Sequence, residues 1–181
     1  GVSDAKKLIQ EISNLTNIST TQILPFSTGV VGQLLDVKQL SSAFNKCFKN
    51  LSKNSWDDFA KAIMTTDTKS KIIKLPFKAG SKKYHIVGIA KGVGMIEPNM
   101  ATTLSYIFTD LKIPELTLRK LHKKICDKTF NAISIDGDQS PSDSSILVAT
   151  GSSEIDFKKH YKKIEKDLSL IHISEPTRRT D

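Results

Sequence analysis

Apolar residues recur three and four positions apart through Leu8, Ile9, Ile12 and Leu15, which predicts a helix with Ser3 placed to cap it. A strand-like run at 21–26 then meets Ser27, Thr28 and Gly29, a turn followed by Val30, Val31 and Gly32. Val37, Leu40, Ala43, Phe44, Cys47, Phe48 and Leu51 form a second helical stripe, ended by the polar stretch 52–54. Cys47 sits inside that stripe, so it is expected to pack in a core. Trp56, Phe59, Ala60 and Ile63 predict a third helix running into MTTDT (64–68).

From Lys71 the period changes to two. Residues 72–77 and 84–90 are rich in strand formers and separated by a Gly/Ser/Lys turn, which predicts a hairpin with His85 packed or at the surface. Residues 103–109 read as a further strand. Pro114 with Leu118, Leu121 and Ile125 marks a helix carrying His122 on its basic face, and 132–135 reads as a strand entering DGDQSPSD (136–143). Residues 146–149 form a buried run that either element type would satisfy, and Tyr161 with Ile164 supports a last amphipathic helix. Helices and strands are interspersed without strict βαβ repetition, so the expected class is α/β of the layered α+β kind.

The chain has 181 residues, long enough for one sizeable core, and its 38% hydrophobic and 25% charged residues exclude disordered and low-complexity classes. The longest apolar runs, such as 86–90, fall far short of a spanning helix, so no membrane partner is expected. The start, GVSDAKKLIQ, has neither an initiator Met nor a basic region followed by an apolar one, so no secretory signal is expected and the beginning reads as internal to a longer protein. Cys47 and Cys126 stand far apart without a CxxC pair, which argues against a disulfide framework or zinc ribbon and for a reducing, cytoplasmic location.

The net charge of +8 comes from scattered lysines, as in KSKIIK (69–74), RKLHKK (119–124) and FKKHYKKIEK (157–166). On helices most of these lie opposite the apolar positions, as on any solvated face. The rival is a basic nucleic-acid-binding module, whose affinity would fall steeply with salt. No aromatic-interleaved platform accompanies the charge, so no nucleic-acid partner is expected.

Four clusters could carry chemistry: PFSTGVVG (25–32), MTTDT (64–68), AKGVGMIEPNMATT (90–103) and FNAISIDGDQSPSD (130–143). KGVGM is Gly-rich, but its Lys precedes the glycines and no GxxxxGK[ST] is present, so it is not a nucleotide P-loop. DGDQS begins like a calcium loop, but Pro141 and Leu147 stand where that loop needs Gly and Glu. What remains is threonine beside glycine turns. A threonine hydroxyl needs an adjacent base, and a chain cut immediately before it supplies one, because a free α-amine titrates at roughly 7.7–8.0. Ala101 and Thr102, after a Gly/Pro-rich loop and before a strand, could meet that need; an ordinary loop-to-strand threonine is the alternative on residue chemistry alone.

The four clusters, in this order, resemble those of the ornithine acetyltransferase family, the bifunctional glutamate N-acetyltransferase of arginine biosynthesis. KGVGMIEPNMATTLSYIFTD (91–110) is similar to its KGSGMIxPNMAT block, STGVVG to its STGVIG block, and FNAISIDGDQSPSD to its FNxxxVDGDxSTND segment, while MTTDT stands as in the family. The resemblance extends over residues 1–167. It implies self-cleavage between Ala101 and Thr102, with Thr102 as nucleophile and its own α-amine as base. It further implies that the Thr28 hydroxyl and the Gly29 backbone N–H form an oxyanion hole, and that Thr65, Lys91 and Thr102 bind substrate.

The activity so implied is acetyl transfer from N-acetylornithine to glutamate through an acetyl-threonine, with no metal or organic cofactor and with acetyl-CoA as a further donor in some members. The implied fold is like that of the N-terminal nucleophile hydrolases, here incomplete at both ends. The implied assembly is α and β chains of one precursor associating as a heterotetramer or higher oligomer. On this reading residues 1–101 belong to the α chain and 102–167 to the β chain.

LSLIHISEPTR (168–178) resembles the in-frame translation of a transposase adapter from sequencing libraries, so 168–181 reads as a non-biological tail. Val93, Gln139 and Pro141 depart from the family pattern, which puts substrate fit in question more than reaction type. A self-cleaving aminopeptidase of the same superfamily is the nearest rival; Lys91 within its block favours the transferase.

Overall fold

The computed structural model describes residues 1–28, 30, 32–92, 103–132 and 143–169. They fall into two compact units, one over Gly1–Ser55 and one from Trp56 onward.

The first unit holds two amphipathic helices, α1 (Val2–Thr16) and α2 (Val37–Lys49). Gly1, not Ser3, is the N-cap of α1, and Asn17 ends the helix in the left-handed conformation at φ 58°. Asp36 caps α2 by accepting from the Gln39 N–H at 3.0 Å. The expected strand at 21–26 is absent: Thr20–Gln22 form a single 3-10 turn and no neighbouring strand pairs with the segment, so its β-branched residues find no ladder. Cys47 is exposed rather than packed in a core. Helices α1 and α2 with the linking segment line an apolar groove of about 690 Å³ that includes Leu8, Ile12, Ile23, Leu34, Leu40 and Phe44.

The second unit is built on a four-stranded sheet in the order β1 (Lys71–Ala79), β2 (Lys82–Lys91), β3 (Leu104–Thr109), β4 (Ser144–Ala149). The first three strands are antiparallel and β4 lies parallel to β3. The expected hairpin is β1–β2, and Gly80 takes φ 64° at the first position of its two-residue turn, where L residues are strained. The run at 146–149 is a strand. It is apolar throughout because a parallel neighbour reached by a crossover has both faces covered.

Strand alternation sorts the sheet into two faces. Tyr84, Ile86, Ala90, Ile107 and Leu147 pack with Leu121, Ile125 and Cys126 of α4 (Glu115–Lys128) and with Ile164 and Leu168 of α5 (Tyr161–Ser169). On the other face Phe108 meets Trp56, and Tyr106 meets Phe59, both from α3 (Trp56–Ala62), with ring centroids 5.1 Å apart in each pair. The helices predicted around Trp56, Leu121 and Ile164 therefore cover the two sides of the sheet.

Two details differ from expectation. Ala132 closes a 3-10 turn, Phe130–Ala132, instead of opening a strand, and the remainder of that expected strand lies outside the described residues. His122 does not face solvent with the lysines of α4; it turns under the sheet to Ser145. Helix α5 runs through Leu168, which is fully buried, so the 167/168 boundary falls within a packed helix.

Candidate active site

The site is assembled where β2 ends and β3 and β4 begin. Register pairs Lys91 with Leu104 and Leu104 with Ser144, which puts these three on the α3 face of the sheet. Lys91 closes β2 and is only 3% exposed. Its ammonium donates to the Thr65 Oγ1 at 3.4 Å, so the two residues expected to bind substrate are brought together although twenty-six positions separate them. Among the described residues no carboxylate pairs with Lys91. A buried ammonium with no carboxylate bonded to it loses hydration worth several kcal/mol, so an arriving carboxylate finds a receptor already desolvated.

Asp67, the acid of MTTDT, holds this arrangement in place. Its Oδ1 accepts from the Gly92 N–H at 3.0 Å and from the Lys71 ammonium at 2.5 Å, and its Oδ2 from the Thr65 N–H at 3.5 Å. Burial works to raise its pKa, but the hydrogen bonds from Lys71, Gly92 and Thr65 outweigh it and hold the carboxyl below the usual range. Gly92 sits at φ 146°, a conformation that favours glycine, and this turns its N–H toward Asp67 as the chain leaves β2. Asp67 therefore fastens the segment after α3 to the end of β2, and with it the Thr65 hydroxyl to Lys91.

Asp143 immediately precedes β4, beside the same strand ends. Its Oδ1 accepts from the Thr103 N–H at 2.7 Å, while Oδ2 is buried without a partner among the described residues. Burial pushes this carboxyl up to about 6, against the pull of the Thr103 N–H and the positive charge of Lys91. Asp67 is the one acid of MTTDT, and Asp143 closes DGDQSPSD. Neither stands out by spacing, because the strand-end amides they hold, at Gly92 and at Thr103, lie twenty-five and forty positions away.

Thr28 is half-buried in the segment between α1 and α2, in the first unit. Gly29, Ala101 and Thr102 lie outside the described residues. Among the described residues no group of three or more His, Cys, Asp and Glu could hold a metal ion, and no helix is long and apolar enough to cross a membrane.

The comparison that decides the family covers nearly the whole chain, from residue 1 to residue 174. The chain belongs to the ArgJ family. Curated relatives agree: it is 40% identical to the glutamate N-acetyltransferase of Methanocaldococcus jannaschii over 174 residues, 94% of this chain and 43% of the relative. It is 43% identical to the arginine biosynthesis bifunctional protein ArgJ of Colwellia psychrerythraea over 153 residues, 84% of this chain and 36% of the relative. It is 41% identical to the arginine biosynthesis bifunctional protein ArgJ 2 of Nostoc sp. over 174 residues, 94% of this chain and 44% of the relative. The chain thus spans less than half the length of these ArgJ relatives. The mixed α/β sheet-and-helix architecture agrees with the fold class expected for an ArgJ protein.

Proposed function

We propose that this chain forms part of an enzyme that moves the acetyl group of N-acetylornithine to glutamate, releasing ornithine and giving N-acetylglutamate. Thr102 is the nucleophile. The precursor activates itself: the Thr102 hydroxyl attacks the Ala101 carbonyl, the peptide C–N bond breaks to leave an ester, and water hydrolyses it to an Ala101 carboxylate and a free Thr102 α-amine. That amine accepts the hydroxyl proton as Thr102 attacks the acetyl carbonyl and returns it to the departing ornithine nitrogen. Glutamate's amine then attacks the acetyl ester, the C–O bond breaks, and the Thr102 hydroxyl is regained. Thr28 and Gly29 donate to the oxyanion in both half-reactions, where loss of one donor costs about 3 kcal/mol of transition-state stabilisation.

The observation that carries this reading is the buried Lys91 ammonium beside the Thr65 hydroxyl, at the end of the strand that leads into the Ala101–Thr102 block. A point charge and a hydroxyl donor together suit an amino-acid carboxylate, which both substrates carry. No metal or organic cofactor takes part in the chemistry so written, and acetyl-CoA enters only as a further donor. The two halves of the precursor, divided between residues 101 and 102, stay together as α and β chains and associate as a heterotetramer or higher oligomer in the cytoplasm.

Intact-mass measurement on the full-length parent polypeptide tests the proposal. Wild type is expected as two chains split after Ala101, and Thr102→Ala as one uncut chain. Acetyl exchange between N-acetylornithine and glutamate should accompany only the first. An uncut wild type that still exchanges acetyl groups overturns it.

A further inference from the structure

We propose that Asp143 is a positioning residue for the Ala101–Thr102 junction, acting through the amide of Thr103, the first residue after the proposed nucleophile. The inference rests on the function proposed above. Thr103 is held at both of its backbone groups by two consecutive residues from forty positions along the chain. Its N–H donates to Asp143 Oδ1 at 2.7 Å, and its carbonyl accepts from the Ser144 N–H at 3.0 Å. The second bond is what strand pairing supplies anyway, since Leu104 pairs with Ser144 in the parallel β3–β4 ladder. The first is not: it is made by a side chain, one residue before the ladder begins.

A peptide unit is planar, so a bond to the Thr103 N–H bears on the orientation of the peptide unit that joins Thr103 to the residue before it. That residue is the proposed nucleophile. Small misplacements at a reacting group cost large factors in rate, and the bond from Asp143 is the described contact nearest in the chain to the cut.

The form of the carboxyl argues against a merely structural strand cap. Asp143 Oδ2 is buried without a partner among the described residues, and the carboxyl lies within the electrostatic reach of Lys91, where a cap at the surface would turn its second oxygen to water. The residue is thus tied on one oxygen to the Thr103 amide, and its carboxyl feels the charge of Lys91. Asp143 touches none of the reacting atoms in this assignment. It acts through Thr103.

The test follows self-cleavage of the full-length precursor by intact mass over time, in wild type, Asp143→Ala and Asp143→Asn, with far-ultraviolet circular dichroism to compare folding. Asp143→Ala is expected to slow the cut about tenfold or more, whereas Asp143→Asn, whose side-chain carbonyl still accepts the Thr103 N–H, should return it to within about threefold of wild type. Where the Ala variant does not fold, Asp143→Ser, too short to reach Thr103, takes its place with the same expected loss. An Ala or Ser variant that is cut as fast as wild type, or an Asn variant no faster than the shortened one, overturns the assignment. A wild type that is never cut overturns the functional reading and this inference together; a wild type cut normally beside an unaffected Asp143→Ala overturns the inference alone.

Discussion

One step along the β2–β3–β4 ladder separates two polar clusters on opposite faces of the same sheet. Lys91, Leu104 and Ser144 share the face covered by α3; Ala90, Ser105 and Ser145 share the face covered by α4. Under α4 the Ser105 hydroxyl donates to Ser145 Oγ at 2.6 Å, Ser145 lies 2.8 Å from His122 Nε2, and the Cys126 thiol approaches Ser145 at 3.6 Å. Burial lowers the pKa of His122 and raises that of Cys126, so both sit there uncharged. A serine beside a histidine invites a catalytic reading, yet this cluster is neutral and its hydrogen bonds are made within itself. The Lys91 side is the reverse: it holds a buried charge, a carboxylate oxygen without a partner among the described residues, and lies where the strands open. Polar chemistry under a sheet becomes useful when it is left incomplete.

The largest expected effect attacks that incompleteness. In the full-length protein, replacing Lys91 with Met should raise the KM for glutamate about a hundredfold, what loss of roughly 3 kcal/mol of charged hydrogen bonding produces, with the melting temperature held or raised because a buried unpaired charge is gone. Unchanged KM would erase the distinction between the two faces. Next, Asp67→Ala should lower unfolding free energy in urea by about 3 kcal/mol, since it strands the Lys71 ammonium and the Gly92 N–H in a buried setting.

The smallest effect is a difference in sign with pH. The His122 pKa is depressed in the folded chain, so its contribution to stability is present above the unfolded value, near 6.5, and fades as pH falls through the folded one. Asp143 is raised, so its contribution is present below about 4 and fades as pH rises through about 6. His122→Gln and Asp143→Asn should flatten opposite slopes of unfolding free energy against pH, each by about 1 kcal/mol per pH unit or less. Slopes that respond alike would show the two clusters to be equivalent.

Elements whose partners lie nearby were the most legible. The β1–β2 hairpin follows from alternation and one Gly-containing turn, and α1, α2, α4 and α5 from helical spacing. The run at 21–26 misleads because strand preference records a fit to neighbouring strands, and none among the described residues pairs with it. His122 misleads for a related reason: the lysines around it describe a solvated face, while its own position on the helix faces Ser145, a residue on β4 that helical spacing does not reveal. At the site, Thr65 and Lys91 were found by motif, but the 3% exposure of Lys91 was not, since a lysine ending a strand ordinarily reaches water. Asp67 and Asp143 went unassigned because their importance lies in the backbone amides they hold, at Gly92 and Thr103, and those pairings exist only once the sheet is formed.

The antiparallel ladder joining β2 to β3 runs from Ile86 opposite Thr109 to Lys91 opposite Leu104, and β3 is gripped on its far edge by β4. A break in the backbone anywhere between those two strands therefore severs covalent continuity without parting the sheet. The two products would remain zipped along the same six residue pairs, held by the strand bonds that formed while they were one molecule, so maturation by scission and lasting association would be two outcomes of a single seam.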